Sequence, residues 1–434
     1  MSGLSARSLR RRFLALSALR WLPVGLIIPI TVLLPLERGL SLGEVGLAVS
    51  VQGLVVLALE LPTGGLADSV GRRRVLLLAA GVGVVSTGLY LVADTAVLLT
   101  AVFALQGVYR ALDSGPLEAW YVDAAMAVGG HAPIDRALSA QGVVVGLAIA
   151  GGALLSGALV VLDPVPVLDA LAVPVAASLL LQVLGLAGIA VLMVETPMTT
   201  GARAAWRAAA RTPRAIADGV SVLRHNRVLL ALVAVELTWG FGMVAFETLT
   251  PVRLAEIVGG EAAAAITGPA SSAAWLLSAA GAAALPWVGR RLGLARTAAL
   301  MRVVQGVTVV GIGLFTGVVG VVTAYLACYV VNGASDPAHQ SLLHRQVHGP
   351  QRATVLSLSS MASQPAGSLG VIALTWLADG LSVGAAMIVG AVVLAVAAPL
   401  YLPAWRQERR AEAAGTPPPL AVAARVGGEA PSGP

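Results

Sequence analysis

The sequence contains no lysine and a single cysteine, and only 12% of its 434 residues are charged. Ordinary globular domains are about a quarter charged, so composition argues against a soluble fold. Cys328 has no second cysteine to pair with, which excludes an internal disulfide and a cysteine-rich metal centre. Set in an apolar run, it is most simply a packing residue. All 28 basic residues are arginine. They fall in short clusters between apolar runs rather than on one face of a folded domain, which argues against a nucleic-acid partner. There is no Walker motif and no nucleophile with a plausible base, so neither ATP-driven transport by this chain nor enzymatic catalysis is expected. His344 and His348 have a spacing that suits a metal, but Gly349 and Pro350 end the helix at once and no further ligand is evident. No metal or cofactor is expected.

What is abundant is hydrocarbon. Residues of the hydrophobic set make up 57% of the chain, in blocks of about twenty, long enough to cross a bilayer core of roughly 30 Å. Spans are expected near 13 to 36, 45 to 65, 75 to 93, 96 to 120, 137 to 162 and 173 to 194. Six more lie near 228 to 252, 266 to 289, 297 to 318, 320 to 343, 354 to 378 and 382 to 403. The first block resembles a signal peptide, but it is too long, carries Arg20 and is followed by eleven others. Counted by connection, 23 arginines fall on one side of the membrane, while the other side has Arg38 and Arg253. Basic loops stay on the cytoplasmic side, so both termini are expected to be cytoplasmic, in the cell membrane.

The expected fold is therefore an all-α polytopic protein of 12 transmembrane helices in two pseudo-symmetric six-helix bundles, residues 13–195 and 228–403. Residues 1–12 form a cytoplasmic tail, and residues 196–227 a basic linker of amphipathic character suited to the anionic inner leaflet. Residues 404–434, rich in Pro, Gly and Ala, are expected to be a disordered cytoplasmic tail. Two anchors relate the halves. Val70-Gly71-Arg72 corresponds to Leu292-Gly293 at an offset of 222, and Pro116 corresponds to Pro337 at 221. Duplicated six-helix halves place a binding site between them.

The loop after span 2 reads Gly64-Gly65-Leu66-Ala67-Asp68-Ser69-Val70-Gly71-Arg72-Arg73. It resembles the signature loop of the major facilitator superfamily, Gly-x-Leu-Ala-Asp-x-x-Gly-Arg-Arg/Lys, in the expected place. Drug and proton efflux members are the nearest in kind. The resemblance implies a gating latch: Asp68 against the start of helix 11, from Arg352 to Thr354, and Arg72 facing Asp123 or Glu118. Other family features depart from the pattern. Phe103 stands where span 4 commonly has arginine, ahead of Gln106-Gly107, and the glycines of span 5 (Gly142, Gly146, Gly151, Gly152, Gly157) come without the Gly-Pro pair of the antiporter signature.

Ionisable and polar residues away from the span ends gather on every third helix. Span 1 has Arg20; span 4 has Gln106, Arg110 and Asp113; span 7 has Glu236 and Glu247; span 10 has Asn332, Asp336 and His339. Spacings of three, four and eleven put each set on one helix face. A charge at the centre of a lone helix costs roughly 2.5 to 3.5 kcal/mol on insertion scales, so these groups should turn inward. In the resembled family those four helices line the central cavity. Arg20 is about 10 Å along its helix at roughly 1.5 Å per residue, within snorkelling range of the surface. Arg110 and Asp113 are candidates for a structural ion pair. Glu247 lies near the outer boundary, and His339 is expected to be a neutral hydrogen-bonding residue. Glu236, without a local partner, or Asp113 is the candidate proton acceptor. The expected function is export of a small hydrophobic or amphipathic substrate in exchange for protons, by a monomer in the lipid bilayer. An uptake permease for an anionic metabolite, with Arg20 and Arg110 as clamp, is the first alternative; a membrane sensor or enzyme on a transporter-like scaffold is the second.

Overall fold

The computed structural model describes residues 5–127, 134–195, 226–346 and 351–414, and their side chains except those of 60–62, 64–66, 68, 69 and 351–361. The linker within 196–227, the end of the C-terminal tail, His348 and the contact expected between Asp68 and Arg352 to Thr354 lie outside this description. The described residues are helical throughout, with short 3-10 turns and no strand.

Twelve helices follow the expected spans. They are α1 (Ala6–Ile27), α2 (Leu42–Val70), α3 (Arg72–Val92), α4 (Ala96–Asp113), α5 (Ile134–Leu162) and α6 (Val173–Leu192) in the first half. The second half has α7 (Arg227–Glu247), α8 (Gly260–Leu292), α9 (Leu294–Leu314), α10 (Val318–Arg345), α11 (Gln351–Gly380) and α12 (Val383–Val396). Among the described residues eleven helices are long and apolar enough to cross a membrane. α11 matches them in length but carries more Ser and Gln.

Local sequence sets the ends. Ser41, Thr95, Asn226 and Ser382 cap α2, α4, α7 and α12 through side-chain oxygens that accept first-turn N–H groups. Span 1 is not one straight helix, because Pro29 and Pro35 divide its outer end into a 3-10 turn and a short helix, Leu33–Glu37. Span 4 breaks at Ser114 and Gly115, the latter at φ +92, and resumes as Pro116–Ala127. Gly71 and Gly293 both adopt positive φ, +104 and +80, and turn the chain directly from α2 into α3 and from α8 into α9. The sequence repeat at these positions is thus a repeat of backbone conformation.

Packing repeats as well. α1 packs on α5 and α6, α4 on α2 and α3, and α3 on α6; in the second half α7 packs on α11 and α12, α10 on α8 and α9, and α9 on α12. The halves meet along α2 with α11 and α5 with α8, two pairs that exchange under the repeat. Along α5, Gly152 lies against Gly25 of α1 and Gly157 against Gly268 of α8. Gly142 and Gly146, nearer the arginine-rich side, meet nothing across helices within 4 Å. The α5–α8 contact is therefore tight toward the side away from the arginine clusters and loosens toward them.

The third helix of each half is held at both ends by charge of the sign its dipole prefers. At its start, Glu195 accepts the N–H groups of Arg72 and Arg73 at 2.8 and 2.9 Å, and Glu408 accepts that of Ala295 at 3.1 Å. At its end, Arg38 donates to the carbonyls of Tyr90, Leu91 and Ala93 at 2.7 to 3.0 Å, and Arg253 donates to that of Phe315 at 3.0 Å. Arg38 and Arg253 are the two arginines that the charge count left on the sparse side. Their place is fixed by helix ends. Arg38→Ala and Arg253→Ala should each destabilise the protein by about 1 to 3 kcal/mol through the orphaned carbonyls, and additively because they sit in different halves. Thermal unfolding in detergent checks both claims.

Candidate functional site

The polar residues of the four inward stripes assemble into two networks, one inside each half, plus a solvent-reached set between them. In the first half Arg20 pairs through Nε with the Asp113 carboxylate, and its Nη2 donates to the Asp113 carbonyl at 2.9 Å. That carbonyl is available because α4 ends at Asp113, ahead of the Ser114-Gly115 break. Arg20 Nη1 also lies 3.6 Å from Glu118 Oε1, which accepts from Gln141 Nε2 at 2.5 Å. Arg20 therefore does not snorkel to the surface. Nor do Arg110 and Asp113 form the ion pair that their spacing suggested, since α1 brings a cation to Asp113 from another helix. A partly open hollow beside this pair, between α1, α3, α4 and α6, is lined by Leu19, Ala80 and Leu186, with Tyr109, Asp113 and Gln182 at its polar end.

In the second half Glu236 is not alone. His339 Nε2 lies 3.1 Å from Glu236 Oε1, a close contact but poorly aligned for a hydrogen bond, and His339 Nδ1 is 3.0 Å from the Tyr401 hydroxyl. Glu236 and His339 are 8% and 1% exposed. Arg302 of α9, 2% exposed, donates to Gln305 Oε1 at 2.9 Å, and Gln305 passes the chain on to Asn332 Oδ1 at 3.1 Å. Arg302 also lies within electrostatic range of Tyr401 and Asp336. The network thus holds two acids, one arginine and one histidine on α7, α9 and α10, with Tyr401 just past α12 and Asp336 at its solvent-reached edge.

Between the networks, Gln106 is half-buried, and Arg110, Glu247 and Asp336 are reached by solvent. Arg110 and Glu247, on α4 and α7 of opposite halves, lie within electrostatic range of each other. Beside Glu247 stands an aromatic wall in which Tyr329 contacts Phe246, Trp275 and Tyr325 at ring separations of 5.7, 6.4 and 4.9 Å.

Of the latch residues, Gly64 lies within α2 and Gly71 makes the turn into α3. Arg72 pairs with Asp123 and donates to the Ala119 carbonyl at 2.8 Å, while Glu118 is engaged by Arg20 and Gln141 instead. Sequence reasoning passed over Arg302, Gln305, Tyr401, Glu195 and Glu408. Arg302 lies two turns into α9, which starts at Leu294.

Twelve spanning helices in two repeated halves, with polar networks inside each and a solvent-reached set between, define a membrane transporter of the secondary type. The family model described as Major Facilitator Superfamily matches residues 13–334, and the chain belongs to that family. The solved structure of the nucleoside transporter NupG is similar at 12% identity and a TM-score of 0.73, covering 91% of this chain and 98% of that one. A bacterial homologue of the human lysosomal transporter Spinster, inward-facing and occupied, is similar at 12% identity and a TM-score of 0.73, over 92% and 96% of the two chains. A structure concerned with proton-dependent oligopeptide transporters follows at 14% and 0.67, over 94% and 100%. No curated protein matches by sequence. At such identities the likeness carries the fold alone.

The first-half network gives a direct stability test. Arg20→Leu strands Asp113 in the bundle and should cost about 3 kcal/mol, whereas Arg20→Leu combined with Asp113→Leu should recover most of that loss. Unfolding of the purified single and double variants measures the difference.

Proposed function

We propose that the protein exports a small hydrophobic or amphipathic compound across the cell membrane in exchange for protons, as a monomer with both termini in the cytoplasm. The halves rock about the midplane and expose the site to each side in turn. The observation that carries the proton reading is the charge balance of the second-half network. Arg302 offsets one of the two acids Glu236 and Asp336; His339, placed between Glu236 and Tyr401, leaves the group one proton short of neutral when it is uncharged. The first-half pair differs, because Arg20 already supplies Asp113 with a fixed counter-charge. Glu236 is accordingly the proton carrier, with His339 and Asp336 beside it.

Trp275, exposed and backed by the buried rings of Tyr329, Tyr325 and Phe246 near a solvent-reached Glu247, suits an apolar substrate with a polar end. An anion clamp by Arg20 and Arg110 is less well supported, since Arg20 is occupied by Asp113 and Glu118.

Reconstitution into liposomes with an imposed pH gradient tests the reading, with a panel of fluorescent hydrophobic dyes as substrates. Dye-dependent proton flux should fall at least about tenfold in Glu236→Gln, as expected when an essential acid–base group is removed, while dye exchange without a gradient persists. Flux that survives in both Glu236→Gln and Asp113→Asn would show that neither acid carries the proton.

A further inference from the structure

α2 and α11 run antiparallel across the boundary between the halves. Their contact starts at the end remote from the arginine clusters, where the Gly43 N–H in the first turn of α2 donates to Asp379 Oδ2 at 2.6 Å. Asp379 is the penultimate residue of α11. Neighbouring groups of that turn are served by their own half: Ser41 Oγ accepts the Glu44 N–H at 3.3 Å, and the Glu44 carboxylate accepts the Ser41 N–H at 2.8 Å. Gly43 takes its acceptor from the other half.

The rest of the seam explains why this bond can form. A β-carbon on Gly43 would stand 3.1 Å from Asp379 Oδ2 and 3.3 Å from the ring nitrogen of Trp376. Further along, Gly46 faces Thr375, Gly53 faces Ser368, and Ser368 Oγ donates to the Ser50 carbonyl at 3.1 Å. The backbone of α2 therefore comes close enough for a carboxylate to reach a first-turn N–H, where the helix dipole favours an anion. The bond is charge-assisted, yet Asp379 is exposed, so water can replace either partner when the helices separate.

We propose that Asp379 is a positioning residue for transport: its bond to the first turn of α2 holds the halves closed on this side, and its release accompanies opening to that side. The proposal rests on the alternating-access reading above. The family resemblance implies a matching role for Asp68, in the last turn of α2, at the opposite face of the membrane.

Pulsed electron spin resonance in lipid nanodiscs tests this. Spin labels go on Val167→Cys and Val319→Cys, exposed sites on the two halves at the closed side, with Cys328→Ala to remove the native thiol. Asp379→Ala should raise the ratio of open to closed molecules on this side about three- to tenfold, and Asp379→Asn should raise it less. Asp68→Asn should shift the ratio the other way, and the double variant Asp68→Asn/Asp379→Asn should return toward the parent value, which loss of stability alone would not produce. As a control, Gly46→Leu wedges α2 from α11. If the wedge opens this side and both Asp379 variants leave the ratio unchanged, the latch is wrong and alternating access stands. If no variant alters the distances, the two-state reading falls with it.

Discussion

A charge inside the hydrocarbon layer has to be answered by another charge or by a polar group, and most of the answers here come from the same half. Arg20 of α1 meets Asp113 of α4; Glu236 of α7 meets His339 of α10, with Arg302 of α9 beside them. Because these bonds are buried and internal, each half is cross-braced as a unit. Polar contacts that cross the boundary are of a different kind. Among the described residues, Arg110 and Glu247 interact at a distance, Asp379 reaches Gly43 at an exposed edge, and the one buried bond, from Ser368 to the Ser50 carbonyl, is between uncharged groups. Strong bonds within halves and exchangeable ones between them are what a rocking mechanism requires.

The repeat is visible in how the third helices are held. Glu195 with Arg38, and Glu408 with Arg253, clamp the two ends of α3 and α9 after matching glycine turns. Against that common frame the halves differ where it matters for charge. At the offset of 222, Ala80 of α3 takes the place of Arg302 in α9. The first half therefore has a hollow beside Asp113, and its cation comes from α1; the second half has its cation on the third helix and an acid, Glu236, on the first.

Helix number and order were legible because hydropathy alone decides which segments cross a membrane. The stripes on spans 1, 4, 7 and 10 were visible because polar groups on an apolar helix share a face, although Arg302 and Gln305 of α9 join the second-half network. Apart from Arg72 with Asp123, which the family resemblance implied, which residue pairs with which was not legible. Arg110 and Asp113 are close in sequence, but the break after Asp113 and the approach of α1 give Asp113 to Arg20. Glu236 and His339 lie on different helices with no local signal linking them. Arg302 stands alone in the interior of α9 with no stripe of ionisable residues to mark it, so its place in the network was not legible either. Glu195 and Glu408 fell outside the apolar windows, although an acid close after a span and a glycine turn ahead of the third helix would have been a usable signal.

The seam between α2 and α11 consists largely of glycine backbone on one side and the hydroxyls of Ser368 and Thr375 on the other. Parting it uncovers peptide groups and alcohols, which water can hydrate, along with the hydrocarbon of the neighbouring core. The glycine positions add little to the hydrophobic penalty for opening. For a protein that alternates access, such a lubricated contact brings its two conformations closer in free energy and lowers the binding energy a small molecule needs to choose between them.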